Sequence, residues 1–255
     1  PCRRLATRFW LMTQRGVPDS VTVLVAIRNR PVADLSRSLA SLRKQSIPSH
    51  LVSLLIIDYG SSEDYSASLV EISRTFNARY VRVDTDRKWS KAHALNIGIR
   101  MVRTKYLMSS DSDIIFPPHY LSEAFALLGR KPLSVAYSQC WDLSAEVTAS
   151  LHKDPEAITF DRLVTAAAPR SSGDCNAGIN MTYARFYRWL RGYDEFYEGW
   201  GSEDNDLQRR FELFGLRSRS LKPQAVYLHQ WHPKGLGVED FQGVVRRNDD
   251  YFNRA

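Results

Sequence analysis

The sequence predicts an α/β domain built on a mainly parallel sheet with flanking helices. Two observations carry this. Through the first half, short and largely apolar runs alternate with stretches whose leucines recur at helical spacing. Polar clusters follow the apolar runs directly, which is where open parallel sheets take their ligands. A third observation bounds the answer. The 255 residues hold only 13 glycines and 11 prolines, with no Gly- or Pro-rich linker and no internal repeat, so one continuous domain is expected.

In order, 21–27 (VTVLVAI) reads as a buried strand, and after Pro31 the spacing of Leu35, Leu39 and Leu42 predicts a helix. Residues 54–58 form a second strand ending in the turn signal Gly60-Ser-Ser62. A helix over 66–76 and a strand over 80–84 follow. Ser90 is placed to cap a helix whose apolar side holds Leu95, Ile99 and Val102. Residues 106–109 are the next strand, and Leu121, Phe125 and Leu128 mark another helix. Beyond this the pattern changes. A strand is expected over 134–142, irregular polar chain over 144–172, and helices over 181–190 and 202–214, with Gly215 as a stop. Short strands are expected at 217–221 and 225–230.

Composition excludes several classes. The longest apolar runs are about seven residues, against the roughly 20 that a membrane-spanning helix needs. Three cysteines, Cys2, Cys140 and Cys175, cannot all pair and show no C-x-x-C spacing, so a reduced, cytoplasmic setting is expected. The 35 Lys and Arg against 28 Asp and Glu give a net charge of +7, but the arginines are scattered rather than banded. That argues against nucleic acid and leaves anionic small ligands open. The basic extension 1–19 leaves peripheral contact with the inner face of a membrane open as well.

Four clusters carry candidate chemistry. Asp111 and Asp113 are two apart at a strand end, so in extended chain both carboxylates point to one side. They would suit a hard divalent cation shared with a diphosphate, or simply an Asp/Ser turn capping the next helix. Lys91 in a helical first turn opposes the dipole unless an anion lies nearby, and Arg87 has the same two readings, anion contact or solvated cation. Gly199-Trp-Gly-Ser-Glu-Asp-Asn-Asp206 places two glycines around an indole before a run of acids. Those acids suit a helix dipole, or one is a general base with Trp200 stacking on a sugar. His229-Gln-Trp-His232 follows a predicted strand, and a histidine there is either structural or a metal partner for Asp113.

Taken together and in this order, the segments resemble a GT-A glycosyltransferase of the family-2 type. Val23–Arg30 is similar to that group's opening strand, Ile56–Asp64 to its "VDDGSxD" segment, Lys91–Gly98 to "KAxALNxG", and Asp111-Ser-Asp113 to its DxD motif. Gly192–Asp204 resembles the "GGFDExFxGWGxED" segment of β-1,4-galactosyltransferases, polypeptide N-acetylgalactosaminyltransferases and bacterial chondroitin polymerases. The sequence departs from the pattern twice: Tyr59 stands at the second acid of "DDGS", and Leu95 stands where many members carry Arg.

The resemblance implies a Rossmann-like, mainly parallel mixed sheet over 20–235. Its nucleotide-binding half would span 20–116 and its acceptor and catalytic half 117–235, with 236–255 as a tail. It implies a UDP-sugar donor, a carbohydrate or glycoconjugate acceptor, and Mn²⁺ or Mg²⁺ as cofactor. Ala26, Arg28 and Asp58 would meet the nucleotide base, with Arg87, Lys91 and Asp111 also on the donor. Asp113 and His229 would hold the metal. Asp204 would be the general base of an inverting transfer, with Glu203 on the donor or acceptor sugar and Trp200 and Gly201 on the acceptor. A retaining transferase and a non-catalytic sugar-binding domain are the rival readings.

Overall fold

The computed structural model describes residues 19–151, 159–170, 176–235 and 238–254. The basic extension before Asp19, Cys2 and Cys175 therefore lie outside the described residues. A first strand, β1 (Val21–Ile27), is buried along nearly its whole length, because both faces of a central parallel strand are covered by other layers. Helix α1 (Val32–Arg43) buries Leu35, Leu39 and Leu42, the spacing that predicted it. Then follow β2 (Val52–Tyr59), α2 (Glu63–Thr75), β3 (Arg79–Val83), α3 (Lys91–Met101) and β4 (Tyr106–Ser110). Ser90 caps α3 by accepting the His93 amide at 3.1 Å.

α3 lies close on the sheet because Gly98 has no side chain. A Cβ there would stand 2.3 Å from Leu24 Cδ1.

The chain continues through β5 (Ile114–Ile115), α4 (Tyr120–Arg130), β6 (Ser134–Ser138) and β7 (Cys140–Asp142). Next come α5 (Ala145–Leu151), α6 (Phe160–Thr165), β8 (Ala168–Pro169), β9 (Asn176–Tyr183) and α7 (Ala184–Trp189). It ends with α8 (Glu203–Leu213), β10 (Arg217–Ser220), β11 (Tyr227–His229) and α9 (Phe241–Arg254). The large sheet has the order β10-β6-β9-β4-β1-β2-β3. It is parallel except for β9, which runs antiparallel between β4 and β6. The mixed, mainly parallel sheet expected from the sequence is therefore present.

Four readings of the second half are corrected. The expected strand 134–142 is two strands in different sheets, because the ladder to β9 shifts register between Tyr137 and Ser138. The expected helix 181–190 begins only at Ala184. Its first three residues finish β9, whose pairing with two neighbours outweighs local helical spacing. The polar stretch 144–172 contains α5, α6 and β8, with Leu151 and Leu163 in a small second core beside Leu143 and Leu228. The tail holds α9, a 14-residue helix.

The small sheet, β5-β11-β7-β8, does the positioning that matters for chemistry. Its registers set His229 opposite Ile114 on one side and Asp142 on the other. The Gln230 amide donates to the Asp113 carbonyl at 3.0 Å, so the end of β11 is pinned to the Asp-Ser-Asp turn. Below it, Gln230 is fully buried, donates to the Asp34 carbonyl at 3.0 Å and accepts from Arg37 Nε. Arg37 also pairs with the Asp34 carboxylate. Arg37→Ala strands a buried carboxylate and a buried amide oxygen, and is expected to cost about 3–5 kcal/mol in urea unfolding. None of the described helices is long and apolar enough to cross a membrane.

Candidate active site

A cleft of about 1720 Å³ opens along the C-terminal ends of β1 and β4, with the small sheet on one side and the Gly199–Asp204 segment on the other. The residues expected to act there line it: Ala26, Arg28, Arg87, Lys91, Asp111, Asp113, Trp200, Gly201, Glu203, Asp204 and His229. Asp58 does not. It is fully buried, and its carboxylate accepts from the Ser61 amide (3.0 Å), the Ser66 hydroxyl (2.6 Å) and the Tyr80 hydroxyl (2.7 Å). Burial opposes its charge, but those donors hold its pKa below the usual range. Tyr59 is likewise buried, its hydroxyl on His93 Nδ1 at 2.7 Å, and Leu95 is in the core.

Two centres occupy the cleft. At the first, the Lys91 ammonium lies 2.7 Å from Asp111 Oδ1, 2.9 Å from Asp204 Oδ2 and 3.6 Å from Glu203 Oε1. Burial disfavours the lysine's charge, but three carboxylates outweigh it and hold its pKa well above the ordinary value. Burial also pushes the Asp204 carboxyl well above the carboxylate range. Lys91 pulls the other way, while Glu203 and Asp111 add to the rise. This overcomes the lowering expected of a helix N-terminus and favours proton acceptance. Asp204 Oδ1 is buried with no hydrogen-bond partner among the described residues.

At the second centre, Asp113 Oδ2 lies 3.2 Å from His232 Nε2 and 3.9 Å from His229 Nε2. His229 Nδ1 lies 3.1 Å from Asp142 Oδ1 and His232 Nδ1 lies 2.9 Å from the Pro233 carbonyl. With the Nδ1 proton donated in each case, both Nε2 atoms present their lone pairs toward Asp113. Burial works against charge on Asp113, but when the histidines are protonated instead, they and Arg30 hold its pKa low. Its Oδ1 is buried without a partner among the described residues. One carboxylate and two imidazoles whose donor atoms all lie within 4.8 Å of one another fit a divalent cation, since converging lone pairs need a positive charge between them.

His232 is an addition to the sequence reading, which placed the metal on Asp113 and His229. The spacing of three between the histidines was a visible signal. Asp142 had no such signal, because only the β7–β11 register brings it to His229. Arg170 pairs with Asp142 through both Nε and the guanidinium end and steadies it. If this set holds a divalent cation, Asp142→Ala is expected to weaken its binding about 10- to 100-fold by freeing the His229 ring, as read by titration calorimetry. Cys140 is a buried free thiol whose pKa burial pushes up to about 12, so it offers no nucleophile.

Comparison with known proteins follows the same lines. Residues 22–188 match the model of glycosyl transferase family 2, and residues 165–233 match that of the N-terminal domain of galactosyltransferase. A chondroitin synthase of Escherichia coli is 23% identical over 246 residues, covering 84% of this chain and 35% of the relative. The chain thus spans about a third of that protein. The crystal structure of S. aureus TarS 1-349 in complex with UDP superposes with a TM-score of 0.63 at 15% identity, over 85% of this chain and 62% of TarS. The crystal structure of S. aureus TarS 1-349 gives a TM-score of 0.61 at 16% identity, over 83% of this chain and 60% of TarS. At these identities the solved structures speak for the GT-A-type fold.

Proposed function

The chain belongs to glycosyl transferase family 2, and from that membership we propose that it moves a sugar from a UDP-sugar to a carbohydrate hydroxyl with inversion at the anomeric carbon. The observation that carries this is the single cleft holding both centres: a half-buried Asp204 with a raised pKa on one wall and the Asp113, His229 and His232 set on the other. The UDP named for the TarS structure supports the choice of nucleotide. The sugar falls among galactose, glucose and their N-acetylamino forms.

In this reading Ala26, Arg28 and Arg87 take the nucleoside. Arg28 donates to the Arg87 carbonyl at 2.5 Å, which closes that corner of the cleft. Asp58 braces the turn after β2 instead of meeting the base. Asp113, His229 and His232 hold the cation, Mn²⁺ in preference to Mg²⁺ because two of three donors are imidazoles. When bound, that cation supplies positive charge to the departing diphosphate. Lys91 adds its ammonium on the donor side, and Asp111 meets the ribose or the sugar.

The acceptor hydroxyl lies against Trp200 and Gly201, and Asp204 takes its proton with Glu203 alongside. The new bond forms between the acceptor oxygen and the anomeric carbon. The old bond to the phosphate oxygen breaks, and its electron pair leaves with UDP. Attack on the face opposite the diphosphate inverts the centre. Each of the four UDP-sugars incubated with Mn²⁺ and followed by proton NMR tests this. Initial release of the β-sugar or β-glycoside from the α-linked donor is expected, and an α product would establish retention instead.

A further inference from the structure

The cleft has a wall that neither family model reaches. Helix α9 lies after residue 233, beyond both matched ranges, yet its Gly243, Val244 and Arg247 line the cleft. Its one fully buried residue is polar: Asn248 is 0% exposed. The Asn248 amide nitrogen donates to the carbonyls of Glu198 (3.0 Å), Trp200 (3.0 Å) and Gly201 (3.2 Å). Its oxygen accepts from Arg247, at 3.0 Å from the guanidinium end and 3.3 Å from Nε. One side chain thus ties down three carbonyls within four residues of an otherwise irregular loop, where unpaired carbonyls would be costly.

The packing around Asn248 serves the same loop. Gly199 has φ +74°, and a Cβ on it would stand 2.7 Å from Val244 Cγ1, so the helix seats against the bare glycine. On the other side the Gly199 amide donates to the Trp89 carbonyl at 2.6 Å. The Trp200 indole packs on Phe241 with centroids 5.3 Å apart. Ser202, left-handed at φ +69° just before α8, donates to Asp249 at 2.5 Å. Tyr251 stacks on Phe196 at 3.7 Å and donates to Asp194 at 3.0 Å. With Arg247, which also reaches the Glu198 carbonyl at 3.3 Å, six residues of α9 therefore grip the segment that ends in Glu203 and Asp204.

We propose that Asn248 is the positioning residue of the Gly199–Gly201 loop, and that α9 sets where Trp200 and Asp204 stand relative to the donor. This rests on the proposed function for the meaning of that loop, but the clamp itself is a statement about backbone order. It acts through the loop and touches no reacting atom. A misplacement of about 1 Å in such a site costs about 100-fold in rate, so a small helix shift would be felt.

The test is Asn248→Asp, which turns a donor into a carboxylate facing three carbonyls. Hydrogen exchange of the segment 198–202 is expected to quicken at least about tenfold, with β1 and β4 unchanged, since only the local opening is made easier. Calorimetric affinity for UDP with Mn²⁺ should stay within about twofold. For turnover of the best UDP-sugar into water, kcat should fall at least about tenfold while KM for the donor holds. A role in global stability alone would quicken exchange throughout the sheet and leave kcat unmoved. Native exchange and native kcat in the variant would overturn the proposal. Should Asn248→Asp not fold, Phe241→Ala, which removes the ring packed on Trp200 and leaves Asn248 in place, is read in the same way for the hold of α9 on the loop. If the native chain binds no UDP, the proposed function falls, and exchange at 198–202 alone decides the clamp.

Discussion

Asp204→Asn is expected to lower sugar transfer about a thousandfold while UDP affinity changes little, because the amide matches the carboxylate in shape but cannot accept the proton. Its oxygen can still take the Lys91 hydrogen bond now made at 2.9 Å, so the local structure has no reason to collapse. Direct kinetics with a saturating donor check the rate, and calorimetry checks the binding. The same substitution has a second signature. Burial raises the Asp204 pKa above its unfolded value, so the folded chain binds that proton more tightly than the unfolded chain. Stability from this group is fully present below the unfolded pKa and is lost as pH rises toward the folded one. At neutral pH Asp204→Asn should therefore melt higher than the native chain, with the gap closing near pH 4. A group that costs stability and is kept in a cleft is what a catalytic base looks like energetically.

The other large effect concerns the proposed metal centre. Asp113→Ala removes its carboxylate donor and is expected to lower Mn²⁺ affinity more than about 100-fold, beyond the range for an outer partner such as Asp142. His232→Ala should rank with His229→Ala, because both Nε2 atoms face Asp113. Titration of Mn²⁺ followed by electron paramagnetic resonance separates the cases without any nucleotide or turnover. If His232→Ala bound Mn²⁺ as the native chain does, the centre would return to the Asp113 and His229 pair that the sequence alone indicated.

What the sequence could carry follows from how local each feature is. β1 and β4 were legible because strands buried on both faces are written as apolar runs, and α3 because Ser90, Leu95 and Ile99 announce a cap and a face. Lys91, Asp111, Asp113 and Asp204 lie at the ends of such elements, so their convergence in one cleft follows from the topology. β9 was hidden, since Met181-Thr-Tyr183 is strand only because β4 and β6 stand on either side to pair with it. The fate of Asp58 was equally invisible: Tyr80, on the neighbouring strand, and Ser66, on the following helix, claim its oxygens. Asn248 shows the limit most plainly. An asparagine in a polar helix looks solvated, and only the folded chain brings three carbonyls to its amide.

The most direct test of the account is a calorimetric titration of UDP into the native chain with Mn²⁺, with Mg²⁺ and with a chelator, repeated on Asp113→Ala. Binding that requires the cation, is stronger with Mn²⁺ than with Mg²⁺ and disappears in the variant is the predicted result. UDP binding that ignores both the cation and Asp113, or no UDP binding under any condition, would contradict a metal-dependent nucleotide-sugar site.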